Sequence, residues 1–130
     1  MKEKTVFLIA YGTLMTGELN HRFCETAVSI TPCIVKGTLY DTGYGFPAFV
    51  PEGDTQVYAE LIEIPLADWA GVDRLEGYPR MYDRCLYPAT LADGTEATGW
   101  VYIMNRLPEC TTIITSGDWK EHNNEKKCPN

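Results

Sequence analysis

Histidine and serine are scarce in this 130-residue chain, with two of each: His21, His122, Ser29 and Ser116. No GxSxG elbow, HExxH pair, GxxxxGK[ST] loop or GxGxxG turn occurs. Those gaps remove the motif-borne serine hydrolases, zinc-protease helices, P-loops and dinucleotide folds. Only His21 lies in sequence that reads as folded body, and a lone Cys and His are weak grounds for a nucleophilic pair. The five cysteines (24, 33, 85, 110 and 128) are odd in number, widely spaced and free of any CxxC pair. A disulfide framework would leave one over, and a zinc site needs closer ligand pairs, so scattered reduced thiols are expected. Cys128, in a polar tail, is expected to be exposed and oxidisable.

Positive charge is also in short supply: 11 Lys and Arg against 18 Asp and Glu, a formal charge of −7. An acidic chain gains nothing from counterion release, so no nucleic acid and no anionic membrane is expected as partner. A small-molecule or peptide-like substrate fits better. Long apolar runs are missing as well. Val6 to Ala10 is too short to span a membrane and no small-residue cleavage site follows it, which points to a cytoplasmic protein. Oligomeric state is not legible.

What is present reads as one domain: 45% hydrophobic and 22% charged residues, with no repeat or linker. Thr5 to Tyr11 is a strand buried on both faces, stopped by Gly12-Thr13. A short helix is expected from N-cap Asn20 to about Val28, then a strand at Ile34 to Tyr40. Asp41 to Pro47 is a loop, Ala48 to Val50 a short strand, Pro51 to Asp54 a turn and Gln56 to Ile64 a strand. Pro65 opens a helix that Gly77-Tyr78-Pro79 breaks. Asp93-Gly94 marks a hairpin between Tyr82–Leu91 and Thr95–Met104. Ile113, Ile114 and Trp119 anchor the C-terminal stretch, so residues 1–120 form the domain and 121–130 a polar, disordered tail. About six short strands and two short helices do not make an alternating βαβ fold. They suit an α+β domain around a strongly curved, partly closed sheet.

Two segments carry chemistry. In Tyr11-Gly12-Thr13-Leu14, a buried strand ends abruptly, and backbone N–H groups at such a turn can converge on a carboxylate or oxyanion. In Leu75-Glu76-Gly77-Tyr78-Pro79, a glutamate sits where a helix is cut short. There it either faces a cavity with its pKa raised, or is a solvated carboxylate paired with Arg74, Arg80 or Arg84. Tyr78 and Tyr82 are close enough in sequence to line the same site.

Together these segments resemble the gamma-glutamylcyclotransferase-like superfamily, and its small microbial branch in particular. Tyr11-Gly12-Thr13-Leu14-Met15-x-Gly17-Glu18-x-Asn20-His21 is similar to its opening signature, and Leu39-Tyr40-Asp41-x-Gly43 with Pro47-Ala48 to its second segment. Leu75-Glu76-Gly77-Tyr78-Pro79-x-x-Tyr82-x-Arg84 resembles the stretch holding its catalytic glutamate, and Trp100-Val101-Tyr102 and Ser116-Gly117-Asp118-Trp119 its closing segments. The resemblance implies a small mixed β-barrel with helices packed outside. It implies a metal-independent acyltransferase with no cofactor, in which the substrate's own α-amine attacks the γ-glutamyl amide, releasing pyroglutamate and an amine or amino acid. Glu76 would be the general acid/base, and Tyr11, Gly12, Thr13, Leu14 and Tyr82 would bind substrate. A non-catalytic pocket for a carboxylated metabolite, and a structural domain with a solvated Glu76, are the alternatives.

Overall fold

The N-terminal apolar run forms β1 (Thr5–Ala10), which has a strand on each edge and buries Leu8, Ile9 and Ala10 on both of its faces. It pairs antiparallel with β3 (Pro47–Pro65) and parallel with β5 (Glu96–Met104). The Asp93-Gly94 hairpin joins β4 (Tyr82–Leu91) to β5, with Gly94 N–H donating to Leu91 C=O at 2.9 Å. The computed structural model describes residues 4–109 and 111–127, so Cys110 and Cys128 lie outside the described residues.

Strand order is β3-β1-β5-β4-β2, and β2 (Ser29–Asp41) pairs back onto β3, closing a five-stranded mixed barrel. A short β6 (Thr112–Ile113) adds to β2 from outside. The sheet is therefore the small mixed barrel that is expected, fully closed, and closure leaves neither β2 nor β3 as an open edge. One apolar cluster draws Ile9, Val35, Phe49, Val57, Ala89 and Val101 from the five barrel strands, and Trp119 joins it. A second lies on the other face of β1, β3 and β5, where Val72 of α1 (Trp69–Glu76) packs on Leu8, Ile62, Ile64 and Tyr102.

Three local expectations are corrected. The helix expected from Asn20 to Val28 is only a 3-10 turn over His21–Cys24, and Asn20 caps nothing. Its side chain is spent on Thr13 Oγ1 at 3.0 Å, which ties the turn to the preceding loop. The next strand starts five residues earlier than expected, at Ser29, and runs through Pro32. β4 joins β2 only at Cys33 and Ile34, so Pro32 carries one ladder and its missing N–H is tolerated. The two strands expected around Pro51–Asp54 are one. Thr38 pairs with Val50 and Gly37 with Thr55, so residues 51–54 bulge out of a continuous β3.

The C-terminal stretch also differs: a helix, α2, covers Trp119–Lys127 where disorder is expected from residue 121. Asp118 Oδ1 accepts from Glu121 N–H at 3.2 Å, an N-cap contact, and Trp119 is 1% exposed. A cap, one buried indole and a 2.7 Å contact between His122 Nε2 and Asp41 Oδ2 thus hold a helix whose own sequence is polar. Among the described residues no helix is long and apolar enough to cross a membrane.

Candidate active site

Beyond β1 the chain turns sharply at residues 12–15, where Met15 N–H donates to Gly12 C=O at 3.0 Å. Asn20 N–H donates to Thr13 C=O at 2.8 Å, and His21 Nδ1 bonds Leu14 C=O at 2.9 Å. These bonds engage the carbonyls of the turn. No hydrogen bond to a described residue uses the N–H groups of Gly12, Thr13 or Leu14. The glycine is demanded by packing: a Cβ on Gly12 would stand 2.5 Å from Pro47 Cγ. Its bare α-carbon therefore seats the first residue of β3, and Pro47 C=O in turn accepts a long bond of 3.4 Å from the Tyr82 hydroxyl.

Glu76 closes α1. Gly77, at φ 68°, takes the left-handed position just past the helix, with its N–H on Arg74 C=O at 3.2 Å and Tyr78 N–H on Asp73 C=O at 2.9 Å. This is the paired bonding of a Schellman stop, which only glycine takes without strain. The stop directs Glu76 into a cleft of about 250 Å³ that is also lined by Tyr11, Gly12, Thr13, Leu14 and Tyr82. The six residues assigned to the site by the resemblance thus line one cavity, whereas Tyr78 is not among its lining and has its ring centre 4.4 Å from the Arg84 guanidinium carbon. Leu19, Asn20, Tyr44, Phe46, Pro47, Met81 and Tyr102 are among its other walls. The 44–46 stretch read only as a turn-rich loop, and nothing in the sequence marks Met81 as a wall.

Glu76 is half-buried, and among the described residues none pairs with its carboxylate. Arg84 lies elsewhere: its Nε is 3.6 Å from Asp73 Oδ1, and its guanidinium carbon stands 3.7 Å from the centre of the Trp69 ring. The surface ion pair considered for Glu76 is absent among the described residues. Burial pushes the Glu76 carboxyl from 4.5 up to about 7, and its place at the helix C-terminus acts in the same direction. Burial, then the charge of Glu76, raises Tyr82, which remains a neutral donor at neutral pH. Tyr11 is raised chiefly by burial, and its hydroxyl donates to Tyr102 C=O at 2.7 Å. Tyr102 itself donates to Asp73 Oδ1 and accepts from Trp69 Nε1 at 3.1 Å, which fastens α1 to β5 beneath the cleft. That network joins residues about 30 positions apart and was not legible from sequence.

A carboxyl titrating near neutrality, opposite a row of unengaged N–H donors, suits proton transfer next to a bound anion or carbonyl oxygen. No cluster of three or more His, Cys, Asp and Glu able to hold a metal occurs among the described residues.

Several known proteins are similar to this chain in sequence and in fold. The chain is 31% identical over 122 residues, 88% of its length and 76% of the relative's, to the gamma-L-glutamyl-butirosin B gamma-glutamyl cyclotransferase of Niallia circulans. Among solved structures, YkqA from Bacillus subtilis superposes with a TM-score of 0.77 at 28% identity, over 98% of this chain; the chain spans only 44% of that longer protein. An AIG2-like protein from Mus musculus shares the fold at a TM-score of 0.69 and 20% identity, over 78% of each chain. The family model described as gamma-glutamyl cyclotransferase, AIG2-like, matches residues 8–121. With that match over most of its length, and with its strand-end turn and helix-end glutamate facing one cleft, the chain belongs to the gamma-glutamyl cyclotransferase, AIG2-like family of cyclising, amide-cleaving enzymes.

Proposed function

We propose that the chain cleaves γ-glutamyl amides by cyclisation, with Glu76 as the acid–base group. The observation that carries this reading is a carboxyl raised to about 7 in the same cleft as the free N–H groups of residues 12–14. The Glu76 carboxylate takes a proton from the substrate's α-ammonium. The freed amine attacks the γ-carbonyl carbon, forming the new C–N bond of a five-membered lactam. As the old C–N bond breaks, the protonated Glu76 gives its proton to the departing nitrogen, then takes the second proton that the attacking nitrogen must shed and passes it to the same amine, so pyroglutamate and the amine as its ammonium leave and Glu76 is again ionised.

Because nucleophile and electrophile belong to one molecule, the protein's main task is to fold the substrate into a reactive geometry. Such positioning contributes on the order of 7 kcal/mol or more, and acid–base transfer a further ~10²- to 10⁴-fold. The N–H groups of Gly12, Thr13 and Leu14 hold the substrate's α-carboxylate or the developing oxyanion. Tyr82 is the second side chain assigned to the substrate, since its bond of 3.4 Å to Pro47 is easily exchanged for a better acceptor. Tyr11, already committed to Tyr102 C=O, contributes its ring and main chain to the wall. The test is pyroglutamate release from a panel of γ-glutamyl amino acids and amines, with Glu76→Gln as control. Turnover that survives the substitution would overturn the assignment.

A further inference from the structure

Beside the cleft lies a second hollow that shares Tyr44, Phe46 and Met81 with it and is completed by Arg80, Arg106 and neighbouring apolar groups. It contains neither Glu76 nor any residue of the 12–14 turn, so it lies on the far side of the shared residues from the proposed chemistry. Its two arginines come from different segments that one residue sews together. Asn105 Nδ2 donates to Pro79 C=O at 2.8 Å and Arg80 C=O at 3.1 Å, and Asn105 N–H donates to Met81 C=O at 3.0 Å. The backbone at Arg80 is thereby held beside the residue that precedes Arg106. Both side chains are exposed, and among the described residues neither has an acidic partner.

We infer that this hollow is the leaving-group subsite, and that it takes an amine bearing a carboxylate and an apolar side chain: the substrate is a γ-glutamyl derivative of a hydrophobic amino acid. The inference rests on the cyclotransferase reading for the direction in which the substrate lies. With the γ-glutamyl head at residues 12–14 and the amide at Glu76, the departing half passes the rings of Tyr44 and Phe46 and the Met81 side chain. It then meets Arg80 and Arg106 in the lining, neither of which has an acidic partner among the described residues. On a chain of net charge −7, long-range attraction favours cations, so two uncompensated arginines at one mouth set a local preference of the opposite sign. Guanidinium groups recognise carboxylates through paired N–H donors, and the apolar walls accept a bulky side chain. A cationic leaving amine meets like charge there.

Three substrates with the same apolar group test this: γ-glutamyl-phenylalanine, γ-glutamyl-phenylalaninamide and γ-glutamyl-phenethylamine. Wild type is expected to show a kcat/KM about 10-fold or more higher for the carboxylate than for either neutral compound, the scale of one charge-assisted contact. In R80Q/R106Q that ratio collapses toward one, with the loss falling on the carboxylate substrate. Equal kcat/KM for all three in wild type, or a ratio that survives the double substitution, overturns the subsite. Binding of the same compounds to Glu76→Gln and to its R80Q/R106Q derivative, followed by calorimetry, separates this failure from failure of the chemistry. Carboxylate-selective binding that depends on the arginines, without cleavage of any compound by wild type, upholds the subsite and overturns the cyclotransferase reading. Cleavage without selectivity does the reverse, and absence of both binding and cleavage overturns the two together.

Discussion

Glutamine at position 76 keeps the shape of the side chain and removes its charge, which sets opposite consequences for turnover and for stability. On turnover, loss of the proton carrier is expected to lower kcat by about 10²- to 10⁴-fold with folding intact. On stability, the carboxyl has a pKa of about 7 in the fold against an ordinary 4.5. Between those values the folded chain holds a proton that the unfolded chain has released, so the Glu76 contribution to stability falls as pH rises from 4.5 toward 7 and stays low above it. At ~1.4 kcal/mol per pH unit the full cost is about 3 kcal/mol, and solvent reaching the half-open cleft reduces it to about 2 kcal/mol. Glutamine does not ionise and escapes this cost. Glu76→Gln is therefore expected to melt about 5 °C or more above wild type at pH 8.5, relative to the difference between the two proteins at pH 4.5. Thermal unfolding of both proteins at the two pH values, beside pyroglutamate release at pH 8, reads both effects. A melting difference that does not change with pH would mean that the carboxylate is fully hydrated in the fold, and the reasoning from its desolvation would fail.

Three further outcomes follow from the same geometry. The pH profile of kcat/KM is expected to rise through an apparent pKa of about 7 as Glu76 ionises, and a limb near 4.5 would contradict its burial. Gly12→Ala places a Cβ 2.5 Å from the Pro47 ring, so a loss of roughly 1–3 kcal/mol in chemical denaturation and a raised KM are expected; unchanged values for both would refute that contact. Trp119→Ala empties a site 1% exposed in the barrel-core cluster and is expected to destabilise by about 3–5 kcal/mol, whereas a loss under 1 kcal/mol would show that the C-terminal segment does not complete the core.

Much of the scaffold was legible because its signals are local. The apolar run of β1, the Asp93-Gly94 hairpin and the helix stop at Gly77 each follow from a few neighbouring residues, and all three stand in the structure. The expected helix at Asn20 failed because the Asn20 side chain finds a tertiary partner in Thr13 instead of a helix N–H. The 51–54 turn failed as a strand boundary because β2 supplies a ladder on both sides of the bulge, which composition does not reveal.

For the proposed site, sequence alone singled out the candidates: a glycine-bearing turn at the end of a buried strand and a glutamate at the end of a short helix, joined by their resemblance to one family. It also determined that the chain is acidic and poor in histidine and serine, which directs the chemistry toward a carboxylate. Only the tertiary structure decided between a solvated and a desolvated Glu76. That choice depends on whether Arg84 reaches Glu76 or stacks on Trp69, and on whether barrel closure brings residues 12–14 across from residue 76. Desolvation and the meeting of distant backbone donors are properties of packing, and no local pattern of residues encodes them.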